Sequence, residues 1–177
     1  MRTIKGISKL FLLFCIITLT SCGKDDDRQE FTLKDAVFEY TYDLGVANKG
    51  GQITTPESSI TLDALLVEYP YNGTIKSGKL NLTSETSIIV SAKNSNLELK
   101  NFTLTVNKMN LNLGNLTVDN TELYNSDNLD YVKKFFNRMV SEKKLTISST
   151  FTPSRKITDE DELTIKFVIK ADYIYLQ

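Results

Sequence analysis

Six of the eight tyrosines stand in three Tyr-x-Tyr pairs: Tyr40 and Tyr42, Tyr69 and Tyr71, Tyr173 and Tyr175. In an extended strand, positions i and i+2 leave the same face, so each pair presents two rings side by side. Phenol rings stack on sugars or fill a protein interface while the hydroxyl takes a hydrogen bond. If the strands bearing them were neighbours, six rings would form one platform; otherwise they pack across strands at sheet edges and strand ends. The pair beside Pro70 and the pair near the C-terminus are the more exposed in this reading. Tyr69, Tyr71, Tyr173 and Tyr175 are therefore the candidate ligand-binding residues.

Carboxylates offer two further chemistries. The run Asp159-Glu160-Asp161-Glu162 supplies oxygen ligands of the kind Ca²⁺ gathers, six to eight around one point. Adjacent side chains do not all turn inward, however, and no Asp-x-Asp-x-Asp-Gly pattern is present, so the run reads as a solvated loop. Glu39 and Glu68 fall within candidate strands, where paired carboxylates can act as acid and base in glycoside hydrolysis. No motif singles them out, and a domain of this size leaves little chain for a substrate cleft. The chain has no histidine, which removes His-based metal sites, Ser-His and Cys-His nucleophiles and imidazole bases together. The expectation is a protein that is not an enzyme, with no metal site and no cofactor.

Cys15 and Cys22 are the only cysteines. Met1 to Lys9 carries three positive charges and no negative one, and Leu10 to Leu19 is apolar but for Thr18. That is the layout of a cleavable export signal. An apolar core of about ten residues would span about 15 Å as a helix, against a bilayer core of about 30 Å. Leu19-Thr20-Ser21-Cys22 resembles the lipobox of bacterial lipoproteins. The resemblance implies diacylglycerol on the Cys22 sulfur, cleavage before Cys22, and a membrane anchor of two or more acyl chains. Gly23-Lys24-Asp25-Asp26-Asp27 is similar to the export signal of Bacteroidetes surface lipoproteins, which implies an outer-membrane protein exposed at the cell surface. Read as a charged tether alone, the same stretch leaves the domain facing the periplasm. The chain thus divides into a signal peptide (1–21), a polar tether (22–30) and one domain (31–177).

Three of the 21 basic residues, Arg2, Lys5 and Lys9, lie in the signal, which leaves 18 basic against 22 acidic residues. With no basic excess and no basic stripe, the charge balance argues against nucleic acid or anionic lipid headgroups as partners. Without a thiol beyond Cys22, the exported domain must be held by packing rather than by disulfides.

The elements that would position these groups are mostly strands. Leu163, Ile165, Phe167, Ile169, Ala171, Tyr173 and Tyr175 recur at every second position, and Val168 and Ile174 break the opposite face. That predicts a central or well-packed strand. Further strands are predicted over 31–43, 60–69, 76–82, 87–93 and 145–152, and from Leu97 through Val118. There the alternation slips near Asn101, Asn107 and Gly114-Asn115, the places for turns or bulges. Gly50-Gly51, Asn72-Gly73 and Ser77-Gly78 supply turn chemistry. Leu129, Val132, Phe135, Phe136, Met139 and Val140 instead make a helical stripe over about 127–143, with Ser126 or Asp127 as cap.

The fold expected is mainly β: an antiparallel β-sandwich or barrel-like domain with one amphipathic α-helix closing an end or an edge. Small β-rich lipoproteins of Bacteroidetes have a similar layout. The function expected is a non-catalytic cell-envelope lipoprotein that binds an envelope protein or a glycan through a sheet face or its loops. The alternative is a carrier of a lipid or small apolar ligand, with the helix as lid.

Overall fold

The computed structural model describes residues 28–45, 51–83, 86–93, 97–119, 121–123 and 128–177. Cys22, the signal, the Gly23–Asp27 stretch, and Ser126 and Asp127 lie outside them. The described residues form ten strands: β1 (Glu30–Asp43), β2 (Ile53–Thr54), β3 (Ser58–Thr61), β4 (Thr74–Leu80), β5 (Ser87–Ser91), β6 (Leu97–Val106), β7 (Met109–Val118), β8 (Thr121–Glu122), β9 (Lys144–Pro153) and β10 (Thr164–Leu176). Two helices accompany them, α1 (Leu62–Leu65) and α2 (Leu129–Glu142).

Two antiparallel sheets pack as a sandwich rather than closing into one barrel. In the first, β10 is central as its two-sided apolar pattern predicts: β1 flanks it on one side, β5 and β4 share the other, and β8 lies outside β5. In the second, β9 lies between β6 and the short pair β2 and β3, with β7 as the far edge. Ile165, Phe167, Ile169, Ala171 and Tyr173 of β10 face Leu145, Ile147 and Phe151 of β9 and Phe102 and Leu104 of β6 in one buried core. Burying a side chain of this size stabilises by about 1.5 to 3 kcal/mol.

The slips in alternation are turns and bulges. Asn107 and Lys108 both have positive φ, +47° and +64°, and close a two-residue hairpin in which Val106 pairs with Met109. The Asn107 side chain is buried, donating to the Lys144 carbonyl at 2.9 Å and accepting from the Thr146 amide at 3.1 Å. It thereby ties the hairpin to the start of β9.

Helix α2 covers the core with Val132, Phe135, Phe136, Met139 and Val140, all buried. The Phe135 ring meets Phe167 edge-on at 6.3 Å. The helix ends at Lys143, which takes the left-handed conformation and lets its amide reach back to Met139 and Val140.

Two local expectations are corrected. The predicted strand over 60–69 stops at Thr61, whose hydroxyl accepts from the Ala64 amide at 3.2 Å and caps α1; Leu62 and Leu65, three apart, are both buried. Ser77-Gly78 is no turn but the middle of β4. The glycine is there because α2 crosses close by: a Cβ on Gly78 would lie 3.0 Å from Val140 Cγ2 and 3.1 Å from Phe136 Cζ.

Candidate binding surfaces

The tyrosine hydroxyls mostly work inside the molecule. β1 and β3 are edge strands on the same side of the sandwich, and the segment 56–71 runs along the seam between them. Tyr42 Oη donates to the Pro56 carbonyl at 2.6 Å, and Tyr40 Oη lies 2.9 Å from Ser58 Oγ. Tyr69 Oη accepts from the Val37 amide at 2.6 Å and donates to the Val37 carbonyl at 3.0 Å. Tyr71 Oη donates to Asp63 Oδ1 at 2.6 Å; partial burial and this carboxylate both push its phenol well above the ordinary value.

Of the four candidate residues, the structure brings two together at the surface. Tyr71 and Tyr175 meet at 5.5 Å, and Phe31, directly opposite Tyr175 across the β1–β10 ladder, stacks on it at 5.6 Å. Tyr69 is engaged with Val37. Tyr173 is fully buried against Phe136, and its hydroxyl has no hydrogen-bond partner among the described residues. A six-ring platform does not form, because Tyr40 and Tyr42 pair with Phe167 and Ile165 at the opposite end of β10. Phe31 was legible only as the first apolar residue of a strand; nothing local marks it as half of an exposed stack.

A groove in two parts runs along the seam. One part, about 490 Å³, lies between Val37–Glu39 of β1 and the wall of Ile60, Leu65, Val67, Glu68 and Tyr69. The next, about 400 Å³, continues along Tyr40–Gly45 beside Pro56–Ser58. Val67 is 78% exposed, the most exposed large apolar side chain described. The charged residues lining the groove are Glu39, Glu68, Asp43 and Glu57, all acidic.

Glu39 and Glu68, weighed above as an acid and base, therefore do share a site, but on its rim. Glu39 is exposed and paired with Lys166 Nζ at 2.7 Å. The acidic run is no solvated loop throughout. Asp161 is fully buried and held by Arg155 through two contacts of 2.6 and 2.8 Å, by the Thr158 amide at 2.7 Å and by its hydroxyl at 3.0 Å. These donors, the Arg155 guanidinium first, hold its carboxyl far below the usual carboxylate range. They also occupy the oxygens that a cation would need, and no cluster of metal-ligating side chains occurs among the described residues.

Comparison with protein-family models, with curated proteins and with solved structures finds no match to this chain.

Proposed function

We propose that this protein is a lipid-anchored, non-catalytic binding module of the bacterial cell envelope. In this reading Cys22 carries the lipid, the outer membrane is the support, and residues 23–30 hold the domain off a surface that faces the outside of the cell. The lipobox-like Leu19–Cys22 and the lysine followed by three aspartates support the address.

One observation carries the binding role: the seam groove is open and lined by apolar and acidic side chains, and it lies along an exposed strand edge. Such a feature suits a protein partner better than a glycan: the tyrosines that line it, Tyr40, Tyr42 and Tyr69, are tied to Ser58, Pro56 and Val37 through their hydroxyls, and the rest of its wall is aliphatic, with Ile60, Leu65 and Val67. Ion pairing and exposure of Glu39 favour recognition over acid–base chemistry. The carrier reading has less behind it, because the apolar side chains of α2 are packed on Phe167, Tyr173 and Gly78 rather than standing over a chamber.

The test is purification of the natively lipidated protein from its own envelope in mild detergent, with mass spectrometry of the proteins and lipids that accompany it. A stoichiometric protein is the expected result. A specific lipid beyond the covalent anchor, with no protein, would replace this reading by the carrier.

A further inference from the structure

In an antiparallel ladder, main-chain groups point alternately toward the neighbour and away from it. The Leu44 amide donates to the Leu163 carbonyl at 3.0 Å, so even-numbered residues in this part of β1 face β10. Val37 is odd, and its amide and carbonyl point the other way, onto Tyr69 Oη. No register shift intervenes between Ala36 and Asp43, so the main chains of Glu39, Thr41 and Asp43 also point away from β10, into the groove. Among the described residues none bonds the main chain of Glu39 or Thr41.

The first half of this edge is protected. Asp35 has a φ of +52° at a bulge, its amide held by Asp172 Oδ1 at 2.8 Å, and Tyr69 plugs Val37. The second half carries neither device.

We infer that the β1 edge from Glu39 to Asp43 is a strand-addition site for an extended, basic segment of a protein partner, which rests on the reading of the domain as a binding module. An added strand alternates its side chains between two faces. Those on the inner face enter the groove: beside Glu39 they meet Ile60, Leu65 and Val67 and must be apolar, and beside Tyr40 to Asp43 they meet Pro56, Glu57 and Ser58. Those on the outer face lie beside Asp43 and Glu39, the latter shared with Lys166 of β10, and opposite charges pair favourably across strands. The partner segment is therefore one in which lysine or arginine alternates with aliphatic residues. A second copy of this chain is disfavoured at the same edge, because antiparallel pairing of two such strands sets acidic residues against each other.

The probe is an acetylated, amidated heptapeptide of alternating lysine and valine, titrated onto the full-length protein in nanodiscs, with amide hydrogen exchange read at single residues. Exchange at Glu39 and Thr41 is expected to slow with bound peptide, while Phe38 and Tyr40, already in the β10 ladder, do not change. Affinity should fall as salt rises, since the acidic rim is exposed. Glu39→Lys with Glu68→Lys should weaken binding by about tenfold or more. Thr41→Pro should abolish it: the Thr41 amide points away from β10, so proline removes the groove-facing donor without breaking a ladder bond. Its thermal unfolding checks that the fold is kept, and N-methylation of the peptide's central amide tests the same bond from the other side. Unchanged exchange at Glu39 and Thr41 at about 1 mM peptide, or equal affinity for the Thr41→Pro variant, would overturn the inference. If an envelope protein still copurifies after that result, the binding-module reading survives; if the peptide pairs as expected but no envelope protein does, that reading is the one in trouble.

Discussion

The Tyr69 hydroxyl occupies the main chain of Val37, taking its amide at 2.6 Å and giving to its carbonyl at 3.0 Å. One phenol thus stands in for a missing neighbour strand at the edge of the first sheet. It also fixes the segment that walls the seam groove, so stability and site geometry depend on the same contact.

Tyr69→Phe keeps the ring packing and removes both bonds. Water can reach a half-buried edge, so the expected loss is about 1 kcal/mol, read as a lower urea midpoint at unchanged slope. The Val37 amide should exchange faster as well. Unchanged exchange at Val37 would mean that the hydroxyl does not cap this edge in solution.

Tyr173 makes the opposite case. Its hydroxyl is buried without a partner among the described residues, and burial pushes its phenol well above the ordinary value, with Tyr69 and Tyr71 adding to the effect. Tyr173→Phe removes an uncompensated polar atom, so stability should stay the same or rise by up to about 1 kcal/mol. A loss of more than that in chemical unfolding would point to a hydrogen bond that the geometry does not contain.

Asp161 gives stability a pH dependence of known sign. Its folded pKa is depressed, so the contribution is fully present above the unfolded value of about 3.9 and is lost as pH falls through the folded one. Asp161→Asn should cost about 2 kcal/mol near neutrality, less than breaking a fully enclosed pair because Arg155 is partly in water. Melting temperatures of the two proteins should converge as pH drops below about 4. A constant gap down to strongly acid pH would show that the carboxylate's charge is not what matters.

The anchor is tested at its sulfur. Cys22→Ala should leave an uncleaved precursor and prevent attachment of diacylglycerol to the chain, so that no mature lipoprotein is found in the outer-membrane fraction. Metabolic labelling with a fatty acid and protease treatment of intact cells separate the lipid from the address. A cleaved product that still partitions with membranes would sink the assignment of Cys22.

An antiparallel sandwich or barrel was legible, though not which of the two, because period-two alternation over long runs leaves few other ways to bury Ile165 to Tyr173 or Leu97 to Val118. The stripe of Leu129 to Val140 marked the one long helix among the described residues for the same reason, with bounds shifted by no more than two residues. The end of β3 was not legible, since Ile60, Leu62 and Leu65 fit a strand nearly as well as a helical turn until the Thr61 cap decides. Ser77-Gly78 is turn chemistry in isolation, while the reason for this glycine is a helix some sixty residues away in sequence.

The candidate site shows the same division. The tyrosine pairs were visible as pairs, since spacing two in a strand is local information. Which rings meet was not, because Phe31, Tyr71 and Tyr175 come from three separate segments: the β1–β10 register sets Phe31 opposite Tyr175, and the segment leading into β4 brings Tyr71. Glu39 and Glu68 could be named but not placed.

What the amino-acid sequence determined alone was the periodicity of its elements and the chemistry it lacks, because both are properties of neighbours along the chain. The tertiary structure decided that Tyr173 is buried, that Asp161 is locked to Arg155, and that half of the β1 edge is left open beside an acidic groove. Those outcomes depend on which strand pairs with which, and pairing is settled by burying the whole apolar surface at once rather than by any local run of residues.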